Sequence, residues 1–272
     1  MPAAVLDGRI YVLGGLVPGL GGAGATATAE VYDPTSDRWA AIADMPAPRH
    51  HLMAAASGRH VYAIGGFDET GFNPVDTVWR YDPASDTWET RAGLPAPVGA
   101  GAAAVADGTI YLLGGVPGGI TALAYDPEGD TWSDVAAMPV SREHVAAVAR
   151  DGQVWVIGGR WQGAMHASVS VLDPAAGTWT AGPDMQEARS GFGAALADDS
   201  IVVAGGEVFE PTRALDGVEL LDETWRSLEP APTPIHGVPL AAVDGTLYLI
   251  GGSLEAAAAD NTVAVWAMAP AA

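Results

Sequence analysis

A short apolar run ending in two glycines recurs six times along this chain and constrains its fold more than any other feature. The runs are Tyr11–Gly15, Tyr62–Gly66, Tyr111–Gly115, Trp155–Gly159, Val202–Gly206 and Tyr248–Gly252. Their first glycines, Gly14, Gly65, Gly114, Gly158, Gly205 and Gly251, lie 44 to 51 residues apart. Self-similarity at that period describes stacked supersecondary units, none of which can bury its apolar face alone.

Residues 47–95 show one unit best. Strand a, about His51–Ala56, turns at Ser57-Gly58 into strand b, His60–Ile64, which ends at Gly65-Gly66. A variable loop leads to strand c, Thr77–Tyr81, then an Asp82-Pro83 turn and strand d around Trp88. The a–b turn recurs as Asp7-Gly8, Asp107-Gly108, Asp151-Gly152 and Asp244-Gly245. Asp-Gly suits a two-residue hairpin because both positions take positive φ at little cost. Asp-Pro recurs after strand c, where Asp bonds downstream backbone and Pro presets φ. Each unit therefore reads as a four-stranded antiparallel meander. Six such sheets set radially hide all but short edges, which predicts an all-β, six-bladed propeller. The repeat spans the chain without a linker, so one domain is expected, with blades at 3–46, 47–95, 96–139, 140–186, 187–232 and 233–269. Trp39, Trp88, Trp132, Trp179 and Trp225 are rings of the size that fills the space between neighbouring sheets.

Gly-Gly after strand b, Tyr-Asp-Pro after strand c, Trp seven residues beyond that Tyr and a Met-Pro-x-x-Arg exit together resemble the kelch repeat. Met45–Arg49 and Met138–Arg142 are the fullest exits, and Met185–Arg189 has Gln186 in place of Pro. Departures are Leu172 and Leu221 for Tyr, Val98 for the exit Arg, and the Pro-rich exit Pro230–Pro234. The resemblance implies closure in which one terminus completes the blade begun by the other. Trp266, 14 residues past its double glycine, is expected in the strand-c slot, leaving the last blade without its outer strand. Met1-Pro2 reads as an exit dipeptide whose strand would lie upstream, with open closure as the alternative. Unpaired edges recruit other strands, so association through the sixth blade is expected.

With 33 acidic residues against 12 arginines and no lysine, the net charge is −21. Such a surface excludes nucleic acid and anionic membranes as partners and suits a cationic one. The absence of cysteine excludes disulfides, thiolate metal sites and cysteine nucleophiles without fixing a compartment. No apolar run approaches the roughly 18 residues of a spanning helix. Gly19–Gly24 matches a dinucleotide-binding glycine turn, but Thr26–Tyr32 continues as strand and supplies no helix N-terminus for a phosphate. No cofactor is expected.

Candidate site residues gather where strand a begins, at one mouth of the channel. Arg49, His50, His51, Arg142, Glu143, His144, Arg189, Ser190 and His236 fall there, with Phe67, Asp68, Trp161, Gln162 and Glu207 from the b–c loops. Arginines supply forked donors for anions. The same arginines can instead bond carbonyls between blades. His50 and His51, adjacent on a strand, should point to opposite sides, so no metal site is expected. Two functions fit. One is a non-enzymatic scaffold presenting the mouth to a protein segment or glycan. The other resembles the kelch-type sialic acid mutarotases, which implies Arg49, Arg142 and Arg189 clamping a carboxylate while Glu143 and His144 move protons.

Overall fold

The computed structural model describes every residue except 20–21, 70, 258–260, 263 and 270–272. Its main sheets are five of four strands and one of three, all antiparallel meanders. The innermost strands are Ala3–Leu6, Met53–Ser57, Ala102–Ala106, Ala146–Arg150, Gly193–Ala197 and Leu240–Val243. Each packs on the next, and Ala3–Leu6 meets Leu240–Val243, which closes a ring of six blades. These strands are rich in alanine, because six of them converge on the axis and larger side chains have no room there.

The core lies between blades. Met53, Tyr62, Ile64 and Val78 of the second blade pack on Ile110, Leu112 and Tyr125 of the third. The strand-d tryptophans of blades two to five tie their blade to the preceding one through the indole N–H, whereas Trp39 of the first blade stays exposed. Trp88 donates to Ala43 O at 2.8 Å, Trp132 to Ala92 O at 2.9 Å, Trp179 to Ala136 O at 2.7 Å and Trp225 to Pro183 O at 2.8 Å. Beside Trp88 and Trp132, a turn aspartate completes the tie. Asp86 accepts from the Ala43 N–H and from the Tyr81 hydroxyl, both at 2.7 Å. Asp130 accepts likewise from Ala92 (2.8 Å) and Tyr125 (2.6 Å). Burial and that aspartate push the Tyr125 hydroxyl up to about 12.

The double glycines are required by close approach. A Cβ on Gly65, at φ 55°, would lie 2.4 Å from the Val98 carbonyl oxygen. The exit methionines sit on the same glycines, as a Cβ on Gly14 would lie 2.8 Å from Met45 Cε. Met1 holds this position against Gly251, 3.0 Å from where its Cβ would be.

The sixth blade comprises Leu240–Val243, Thr246–Ile250 and Val265–Met268, with no fourth strand among the described residues. Trp266 does lie in strand c, but two residues short of the expected slot. In the other blades the residue four before the first glycine pairs with Tyr32, Tyr81, Tyr125, Leu172 or Leu221. In the sixth, Leu247 pairs with Met268 and Leu249 with Trp266. A longer b–c loop delays strand c by two residues, which a count anchored on an aromatic misses. The Gly19–Gly24 stretch is a hairpin of Leu16–Gly19 and Gly22–Ala25. Its turn, residues 20–21, lies outside the described residues.

Candidate functional site

Two rows of residues build the mouth. The first is His51, Ala100, His144, Gly191 and Gly237, one from each of blades two to six, each with φ between 48° and 61°. Their main chains link across blades. Ala100 N–H donates to His51 O at 2.9 Å, His144 to Ala100 O at 2.7 Å, Gly191 to His144 O at 3.0 Å and Gly237 to Gly191 O at 2.6 Å. This belt narrows the channel to backbone and forms the floor of the mouth. It also delays strand a to Met53, two residues later than the sequence pattern implies.

The second row directly precedes the first. His50, Glu143, Ser190 and His236 form isolated antiparallel bridges to Phe67, Arg160, Glu207 and Ser253, the residues after the double glycines. Above the belt lies a cavity of about 360 Å³. Phe72, Phe192 and Phe209 give it apolar walls, and His50, His51, His144, Arg160, Glu207 and His236 give it polar ones.

Those polar groups form a chain across blades. The Arg160 guanidinium donates to Glu143 Oε1 at 2.8 Å and to Glu207 Oε1 at 2.7 Å, and stacks over Phe209, 4.8 Å from the ring centroid. Glu143 Oε2 lies 2.6 Å from His144 Nδ1, and His144 Nε2 lies 3.4 Å from Arg160 Nη2. That arrangement makes His144 the Nδ1–H tautomer, donating to Glu143. Burial works to raise the Glu143 pKa, but hydrogen bonds and charge from His144 and Arg160 prevail and hold it at about 2. Glu207 Oε2 lies 3.4 Å from His236 Nδ1 and accepts from the Ala257 N–H at 3.0 Å.

The histidines of the second blade behave differently. His50 Nε2 lies 2.8 Å from Gly71 O and must donate, so its Nδ1 accepts from His51 Nδ1–H at 2.6 Å. His51 therefore turns a lone pair outward on Nε2. Its ring meets His144 edge-on, with centroids 4.9 Å apart. Burial foremost, then the nearby His144, lowers the His51 pKa to about 2. The expectation that His50 and His51 face opposite ways is corrected, because the positive φ of His51 breaks strand alternation.

The three exit arginines are not gathered around the cavity, which corrects the idea of a shared carboxylate clamp. Arg142, with no exposed surface, donates to Gly158 O (3.0 Å), Ser168 O (2.8 Å), Ser168 Oγ (3.1 Å) and Ser170 Oγ (3.3 Å). Arg189 is equally buried and donates to Gly205 O (2.9 Å), Gly217 O (2.7 Å) and Glu219 (2.5 Å). Arg49 donates to Pro48 O at 2.7 Å and lies over Trp79. All three are anchored within the blade they lead into. Backbone carbonyls absorb forked donors that sequence alone equally assigns to an anion.

Trp161 and Gln162 also leave the site. They belong to the hairpin after Arg160, where Gln162 takes φ 49° at the turn. The Trp161 ring covers Gly119 of the third blade, whose Cβ would meet it at 2.6 Å. Asp68 lies outside the cavity lining, its N–H bonded to Asn73 O. Phe67 stands behind it, packed on His50, His51 and Phe72. Ser190 is fully buried, and its Oγ has no partner among the described residues. Sequence reasoning missed Arg160 and Phe72. Arg160 was findable, since it occupies the same position after the double glycine as Phe67 and Glu207.

Radial four-stranded blades, belted at the axis and clasped by exit arginines, define a repeat-built propeller. The family model of the Kelch motif matches residues 1–46, 48–95 and 141–186, more than half of the chain, and the chain belongs to the kelch-repeat family. Kelch-like protein 40a of Danio rerio is 35% identical over 88 residues, covering 31% of this chain and 14% of that protein. Kelch-like protein 40 of Mus musculus is 36% identical over 83 residues, 30% of this chain and 13% of that one. The chain thus matches only a small part of these relatives. Among solved structures, that of YjhT superposes with a TM-score of 0.81 at 18% identity, covering 98% of this chain and 94% of the other. At that identity the likeness is one of fold.

Proposed function

We propose that this propeller is a non-enzymatic interaction scaffold that binds a basic protein segment at its mouth, with one side chain entering the cavity. The recessed cavity of about 360 Å³ carries the reading. It has room for one protruding group and not for an extended surface. Phe72, 71% exposed, stands at its lining as a ring on which such a group can stack. The net charge of −21 steers cationic segments toward the protein. Kelch-like relatives support a protein partner, and a glycan residue is the other group of suitable size.

The test is an immobilised library of basic peptides and glycans probed with the protein and with its Phe72→Ala variant. Peptides held at low salt, released by salt and lost in the variant support the reading. Glycans retained in their place would transfer the site to carbohydrate, and ligands indifferent to Phe72→Ala would remove it from the mouth.

A second reading rests on the Glu143–His144 pair, at 2.6 Å. A carboxylate orienting an imidazole beside a cavity is the arrangement of a general base. With the exit arginines committed elsewhere, the cation at this pair is Arg160, itself bonded to Glu143 and Glu207. Accelerated mutarotation of a sugar acid, measured by proton NMR and abolished by Glu143→Gln, would establish this activity.

A further inference from the structure

The opposite face of the disc carries a second cleft, between blades two and three. Its volume is about 780 Å³, and it is lined by the a–b turns of both blades and by Asp126–Glu128. Arg59, His60, Arg80 and Arg91 all face it. Three of the chain's 12 arginines thus share one cleft of a protein that has no lysine.

Strand register shows how far this departs from the repeat. Arg80 pairs with Tyr62 of strand b. The residues at that register in the other blades are Val31, Ala124, Val171, Leu220 and Ala267. Arg91 follows the same rule, standing where Ile42, Val135, Gly182 and Leu228 stand elsewhere. A row that is apolar or glycine in every other blade is cationic here, on the face that packs against the third blade. Breaks in an otherwise consistent pattern are where function is expected.

Of the three arginines, Arg59 has no ion pair among the described residues, while Arg80 and Arg91 do. Arg80 and Arg91 share one carboxylate, Glu89. Arg91 also reaches Asp130, which already accepts from the Tyr125 hydroxyl and the Ala92 N–H. Arg59 and the His60 ring have no hydrogen-bond partner among the described residues. Burial foremost, then the charge of Arg80, lowers the His60 pKa, while Asp82 and Glu89 act in the opposite direction. At the rim, Asp107, Asp126 and Glu128 present acceptors. They repel polyanions and suit a ligand that has hydroxyl groups away from its charge.

We propose that this cleft binds a small oxyanion that also bears hydroxyl groups, held by the Arg59 and Arg80 forks with its hydroxyls toward the rim carboxylates. Guanidinium groups recognise phosphate and carboxylate by the same paired N–H donors. The two ligand types therefore share this chemistry and are separated by experiment.

The His60 Cε1–H resonance of the whole protein is followed by NMR during titration with glycerol 3-phosphate, glycerate and neutral glycerol. The same titrations are run on Arg80→Val, which restores the residue of the first blade, and on exposed Arg59→Ala. A saturable shift with glycerol 3-phosphate or glycerate, none with glycerol, and at least tenfold weaker binding in both variants is expected. Whichever anion binds names the source. No saturable shift with either anion, equal response to glycerol, or unchanged affinity in the variants would overturn the proposal. So would a ligand that shifts His144 and leaves His60 in place.

Discussion

Arg142→Ala separates a blade clasp from a ligand clamp. Arg142 is wholly buried and its guanidinium carries four hydrogen bonds, two of them to the carbonyls of Gly158 and Ser168. Ser168 O also accepts from the Gly158 N–H at 3.1 Å, so truncation orphans chiefly the Gly158 carbonyl and the two serine hydroxyls. A buried group left unsatisfied costs about 1–3 kcal/mol, and the void left by the stem adds to it. Against this, the variant no longer buries a charge, whose desolvation holds the Arg142 pKa down at about 10. The net expectation is a loss of about 3 kcal/mol. For a domain of this size that is a fall in Tm of roughly 6–12 °C by calorimetry. Arg142→Lys keeps the charge but not the fork, and should recover less than half of the loss. Ligand binding at the mouth should persist in whatever fraction stays folded. An unchanged Tm with abolished binding would refute the clasp and restore Arg142 to the site.

Three further outcomes follow from the same contacts. Gly65→Ala should destabilise far more than Gly58→Ala, because both have positive φ but only the Gly65 Cβ meets an atom, Val98 O at 2.4 Å; the left-handed cost alone is about 1–2 kcal/mol, and denaturant midpoints compare the two. Trp132→Phe removes the donor to Ala92 O and should cost about 1 kcal/mol in a chemical melt. Stability should fall on acidification below pH 6.5, since His51 stays neutral when folded down to about 2 while the unfolded chain takes the proton. The slope is about 1.4 kcal/mol per pH unit, steepening below the ordinary carboxylate range as the unfolded chain also protonates Glu143, held at about 2 when folded. His51→Asn should flatten the limb between pH 6.5 and 4.5.

The blades were legible because their determinants are local. Gly65 is glycine for the sake of one carbonyl, and the Asp82-Pro83 turn and Trp88 sit at fixed offsets from it. The site was legible only as a neighbourhood. His51, His144 and His236 were placed at the mouth by counting back from the double glycines, and they do line one cavity. What counting could not supply was direction. Arg142 and Arg160 are both arginines near the same rim, yet one turns into carbonyls of its own blade and the other reaches across to Glu143 and Glu207. That choice depends on which acceptors the folded blades leave open. The belt is similar: positive φ at His51 and His144 is imposed by cross-blade bonds, whereas Gly191 and Gly237 at the same position were the local sign of it.

The histidines themselves can test where a partner binds. His50, His51, His144 and His236 line the mouth cavity, while His60 lines the cleft on the opposite face and His166 lines neither. Proton–carbon NMR of their Cε1–H groups, recorded during titration with a peptide retained by the library, reads both faces at once. The account predicts saturable shifts for His51, His144 and His236 with His60 and His166 unmoved. Shifts confined to His60 or His166, with the mouth histidines unchanged, would contradict it.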